Sequence, residues 1–175
     1  MALYLLQLVA VVLIAGYLRH RVREQKRRNT QTWSSLIAHL RIDWSARELC
    51  EDFLWKDRVI ASPEDAWHRM EGPHGLWIMY HNARVMLEMA DYATSHNTGE
   101  TPVDPMQIES LRTDAMQIRL CVFAALTKYA FAQVGAGARV NAYRAARLYS
   151  SMAMRMTELL QEHAAIVLPD FIAAM

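Results

Sequence analysis

The sequence predicts an all-α protein: a single transmembrane helix over residues 1–18, a basic stem over 19–30, and an antiparallel bundle of four to five helices over 31–175. Three observations carry this. A long uncharged apolar run comes first. Helix-start signals and apolar residues spaced by three and four recur through the rest. No stretch shows period-2 alternation with Gly or Asn turns, so no sheet is expected.

Residues 2–18 are interrupted only by Gln7 and Gly16 and carry no charge. As a helix they span about 26 Å, the short end of what a bilayer needs. Tyr4 and Tyr17 fall where interfacial aromatics are favoured, and Arg19 and Arg21 can snorkel to extend the span. A cleaved signal peptide would carry positive charge before its apolar stretch and a small-x-small site after it, and neither pattern is present. Arg19, Arg21, Arg23, Lys26, Arg27 and Arg28 stand against the single acid Glu24. The positive-inside rule then keeps residues 19 onward in the cytoplasm and sends the N-terminus out. The short anchor and this charge pattern suit a bacterial inner membrane, with the lipid bilayer as one partner.

The chain has 19 Lys+Arg and 18 Asp+Glu. Setting aside residues 1–28, with six basic residues and one acid, leaves 13 basic against 17 acidic residues, a net charge of about −4. Such a domain is a poor fit to nucleic acid, whose phosphates need a basic face, and should not lie flat on an anionic membrane. With 53% apolar residues, six Gly and five Pro, it is neither low-complexity nor globally disordered. Two cysteines, Cys50 and Cys121, exclude a disulfide scaffold and a four-cysteine zinc site.

The bundle helices follow in order. Residues 31–57 lack Gly and Pro. Trp33, Leu36, Ile37 and Leu40 share one face, then the register slips near Ser45, which with Glu48 forms a capping box and marks a kink or second start. Ser62-Pro63-Glu64-Asp65 is a cap, a proline at the first helical position and first-turn acids. Gly72-Pro73-His74-Gly75 is the strongest break. Residues 76–96 are amphipathic, with Leu76, Met79, Tyr80, Ala83, Met86, Leu87, Ala90 and Ala93 inward and His81, Arg84, Glu88, Asp91 and Ser95 outward. Asp104-Pro105 starts the next helix, where Ile108, Leu111, Ala115, Ile118, Val122, Ala125 and Tyr129 form a stripe. Its middle is apolar nearly all round, which predicts the most buried helix. Gly135 and Gly137 end it. The last helix, about 138–164, is expected to turn Val140, Tyr143, Leu148, Met152, Met156, Leu159 and Leu160 inward.

The chemistry-bearing residues form no catalytic pattern, and no cofactor or metal is expected. The only Glu-x-x-His, Glu71 to His74, is broken by Gly-Pro. Acids flank Cys50, which disfavours a thiolate, and Cys121 reads as a small core residue. The row His81, Arg84, Glu88 and Asp91 reads as a solvated, ion-paired face or a polar patch for a partner.

An interaction role fits better. Trp33, Trp44 and Trp55 are spaced by eleven, which nearly keeps one helix face, and Trp67 and Trp77 follow. Aromatic and Met residues are enriched at interface hot spots. The expectation is a non-enzymatic accessory, assembly or scaffold subunit whose bundle contacts another membrane or cytosolic protein, or itself. The contact candidates are Trp33, Trp44, Trp55, Trp77, His81, Arg84, Glu88 and Asp91. The alternative is a regulatory bundle holding a small molecule in a cavity lined by Tyr129, Tyr143 or Met residues.

Overall fold

Every regular element among the described residues is a helix. A computed structural model describes residues 32–41, 62–96, 102–131 and 136–175. The expected anchor and stem, with Tyr4, Tyr17, Arg19, Arg21, Arg23, Lys26, Arg27 and Arg28, lie outside them, as do Trp44, Cys50 and Trp55. Among the described residues no helix is long and apolar enough to cross a membrane. The helices are α1 (Trp33–Ile37), α2 (Pro63–Arg69), α3 (Pro73–Ser95), α4 (Pro105–Ala130), α5 (Ala136–His163) and, after a 3-10 turn at Ala165–Val167, α6 (Leu168–Ala174).

The start signals work as expected. Ser62 Oγ accepts from the Asp65 N–H at 3.2 Å, and Asp104 Oδ1 accepts from the Met106 N–H at 2.9 Å. Each satisfies a donor that the helix cannot. In both helices proline takes the first turn, where no N–H is needed.

The Gly-Pro-His-Gly segment is tighter than expected. It does not separate α2 from a helix beginning at residue 76, because Pro73 itself starts α3. The reversal closes with the Gly72 N–H on the Trp67 carbonyl and the Glu71 N–H on the His68 carbonyl, the Schellman pattern. Glu71 sits at φ 56° in the position that favours glycine, and Gly72 follows at φ 61°. Gly75 donates to the Met70 carbonyl at 3.0 Å, and a Cβ on it would stand 2.2 Å from that oxygen.

The three long helices alternate in direction. Arg112 on α4 reaches Asp91 on α3, and Arg119, about two turns later, reaches Tyr80, about three turns earlier. Likewise Asp114 on α4 pairs with Arg155 on α5, while Lys128 stands against Gly137. The core between them is rich in methionine: Met70, Met79, Met86, Met89, Met152 and Met156 are fully buried beside Leu76, Leu111, Ile118, Leu159 and Leu160. Thioether side chains fill irregular gaps between helices that branched residues fit less readily.

Two expectations are corrected here. The most buried long helix is α3, not α4: Ile78, Asn82, Val85 and Met89 are buried in addition to Leu76, Met79, Ala83, Met86, Ala90 and Ala93 of its expected stripe, with Tyr80 and Leu87 half-buried. α3 packs against α1, α4 and α5, so little of its circumference meets water. On α4 only the stripe through Ile108, Leu111, Ala115, Ile118, Val122 and Ala125 is buried, with Asp114 beside it, and Tyr129 is exposed. The second correction concerns the first half of α5. Val140 is exposed, Tyr143 and Leu148 are half-buried, and the inward positions are Ala138, Ala142, Ala145 and Ala146. α5 packs there against α2, with Arg139 paired to Glu64 at 2.6 Å, and small residues let helices approach closely.

Candidate functional site

The contact candidates separate into three groups. Trp33 packs edge-on against Tyr92 at 4.8 Å between ring centres, and so anchors α1 onto α3. His81 does the same work: its Nε2 lies 2.9 Å from the His39 carbonyl just past α1. The charged row is tied up in ion pairs, Arg84 with Glu88 at 3.0 Å along α3 and Asp91 with Arg112 at 3.2 Å across to α4. Of the described candidates, Trp77 is the large apolar one left open, stacked on Tyr80.

Asn82 is a buried polar residue that no sequence pattern singles out. Its Oδ1 accepts from the Arg41 N–H at 2.9 Å, and its Nδ2 donates to the Arg41 carbonyl at 3.1 Å and to the Tyr149 hydroxyl at 3.0 Å. The Tyr149 hydroxyl lies 3.6 Å from the Met175 sulfur. One amide thus fastens the chain after α1 to α3 and α5. Its polar atoms are used structurally, which leaves them no chemistry to perform.

Two described groups have displaced acidities. Burial pushes the Asp114 carboxyl above its ordinary range, partly opposed by the Arg155 guanidinium 2.7 Å away. Burial also raises the Cys121 thiol, against a smaller pull from Arg144. Both shifts have a packing cause, and a raised thiol is a poor nucleophile at neutral pH. No group of three or more His, Cys, Asp or Glu among the described residues is placed to hold a metal ion. Tyr129 lies on the surface against Trp67, 5.8 Å between ring centres, rather than facing an interior cavity.

The candidate surface is the outward face of α4, and the candidate residues did not include it. Met116 is 64% exposed, Leu120 59%, Phe123 71% and Phe131 76%. They recur at spacings of four, three and eight, one continuous stripe. Between Thr113 and Phe131, about 27 Å of helix, the sequence contains three charges, and all three turn aside. Asp114 points to Arg155, Arg119 lies over the Tyr80 ring at 5.6 Å, and Lys128 Nζ stands 3.2 Å from where a Cβ on Gly137 would be. The hydroxyls of the outward threonines are also occupied: Thr113 donates to the Glu109 carbonyl at 3.0 Å and Thr127 to the Phe123 carbonyl at 2.8 Å. Their methyl groups remain on the stripe. Met106, 80% exposed, continues it toward the start of the helix, and the α3–α4 register brings Trp77, 52% exposed, level with the turn that carries Phe123. An apolar patch of this extent is uncommon on a monomeric soluble surface.

The signal was present in the sequence. A helix apolar on every side reads as buried, but among the described residues α4 packs mainly on α3 and α5, and its second apolar face looks outward.

Comparison of the chain with known protein families, with characterised proteins and with solved structures gives no match. What the described residues define is an all-α helical bundle in which the outward face of α4 is apolar and exposed.

Proposed function

We propose that this protein is a membrane-anchored, non-enzymatic subunit that serves assembly or scaffolding through protein contacts of its helical bundle. The observation that supports the contact role is the outward face of α4 between Thr113 and Phe131, which presents no charge, with Trp77 beside it. The apolar run over residues 2–18 and the six basic residues over 19–28 support the anchor and its orientation, N-terminus outside and bundle in the cytoplasm. A bacterial inner membrane is the setting that this pattern suits.

Purification of the tagged full chain from its own membranes in mild detergent tests the reading. Wild type is expected in the membrane fraction after alkaline wash, in a stoichiometric assembly that Leu120→Glu disrupts while the helical content stays unchanged. Recovery in the soluble fraction sinks the anchor. An assembly indifferent to Leu120→Glu sinks the docking role of α4.

A further inference from the structure

We propose that the outward face of α4 pairs with the same face of a second copy of this chain, the two α4 helices running antiparallel about a two-fold axis near residues 117–120. This rests on the docking reading above and names the occupant. Two observations select a copy of the chain over other partners. The first is area. Taking ~200 Å² for each large side chain, the exposed fractions of Met106, Met116, Leu120, Phe123, Phe131 and Trp77 offer about 800 Å², close to the ~800 Å² per partner of a standard stable interface.

The second is self-complementarity. A two-fold axis brings residue i of one copy against residue j of the other with i and j summing to a constant. With the axis near 117–120, Met106 meets Phe131, Met116 meets Leu120, and Thr113 meets Phe123. Every apolar residue of the stripe then has an apolar surface opposite. Glu109, the exposed acid on the stripe, comes to the end of the partner helix that carries Lys128, for which no ion pair is found among the described residues. The helix dipoles oppose, which also favours the antiparallel sense. A lipid surface fits less well. Membrane-lying helices flank their apolar face with Lys and Arg. Here the two cations beside the face turn to neighbouring helices, Arg119 over the Tyr80 ring and Lys128 toward Gly137, and residues 29–175 carry four more acids than bases.

The full chain in mild detergent is expected to show a protein mass of about two 20.1 kDa copies by light scattering after size exclusion. Leu120→Glu or Phe123→Glu, at exposed positions that leave the core untouched, is expected to weaken the dimer at least ~100-fold, since two carboxylates would be buried unpaired. Cysteine cross-linking in a Cys50→Ser, Cys121→Ser background reads the geometry separately. Gln117→Cys or Leu120→Cys should join to its own copy under mild oxidation. Met106→Cys and Phe131→Cys should each fail alone and succeed when combined. Efficient self-joining at Met106→Cys overturns the antiparallel arrangement. A monomeric mass for wild type overturns self-pairing. If Leu120→Glu then still removes a stoichiometric foreign partner, the docking reading survives that failure, and if it removes nothing, both fall.

Discussion

Arg155 Nη1 stands 2.7 Å from Asp114 Oδ2, and this pair joins α4 to α5 through a carboxylate whose side chain is 11% exposed and a guanidinium that is 38% exposed. Burial raises the pKa of Asp114 above its ordinary value of 3.8, and Arg155 offsets part of that rise. In the interval just above 3.8 the folded state therefore binds a proton more readily than the unfolded chain. The contribution of this group to stability then falls as pH rises through the folded value, and its cost is fully present at neutral pH.

The check is urea unfolding of wild type and Asp114→Asn between pH 4 and 7. The stability difference should move in favour of wild type as pH falls. A constant difference would show that burial does not govern this carboxyl. Arg155→Met leaves the carboxylate without its cation and should cost about 1–3 kcal/mol at pH 7, less in acid.

Asn82 is expected to be the most sensitive polar position of the bundle. Asn82→Ala removes the bonds to the Arg41 backbone groups and to the Tyr149 hydroxyl and should cost about 2–4 kcal/mol. Tyr149→Phe should cost about 1 kcal/mol. The double variant should fall short of the sum, because the two side chains share one bond. Full additivity in a thermal or urea series would contradict the network.

The α2–α3 reversal makes two predictions of opposite sign. Gly75→Ala should destabilise by more than about 2 kcal/mol, since its Cβ has no room beside the Met70 carbonyl. Glu71→Gly should stabilise by about 1 kcal/mol, because the left-handed backbone there costs a residue with a Cβ more than it costs glycine. Midpoint shifts in one denaturant titration test both.

The orientation of α4 can be tested apart from any partner. Phe123→Lys should change the stability of the isolated bundle fold by no more than about 0.5 kcal/mol, whereas Ile118→Lys, five residues earlier on the buried stripe, should unfold it. Equal damage from both would place Phe123 in the core.

The proline-capped starts of α2 and α4, the amphipathic face of α3 and the exclusion of a sheet were legible because each depends on residues within a turn or two. What was missed depends on neighbours distant in sequence. Ala142 and Ala145 face inward because α2 crosses nearby, which no local pattern encodes. Asn82 reads as an ordinary helix residue until Arg41 arrives beside it. The α4 stripe was visible as apolar residues, but which of its two faces is covered depends on how many helices stand around it. Trp33 and His81 were legible as special, yet their role is to hold α1.

Among the described residues the methionines range from exposed, as at Met106, Met116 and Met154, to fully buried. Met106 and Met116 lie open on α4, while Met79, Met86, Met89 and Met152 are sealed. Peroxide converts a thioether to a polar sulfoxide only where it can reach the sulfur. Sulfoxide formation at the open pair would report whether α4 is covered in the assembled protein. Formation at the sealed group would count excursions in which the helices part. The bundle thus carries its own oxidation clock, with one hand on the surface and the other in the interior.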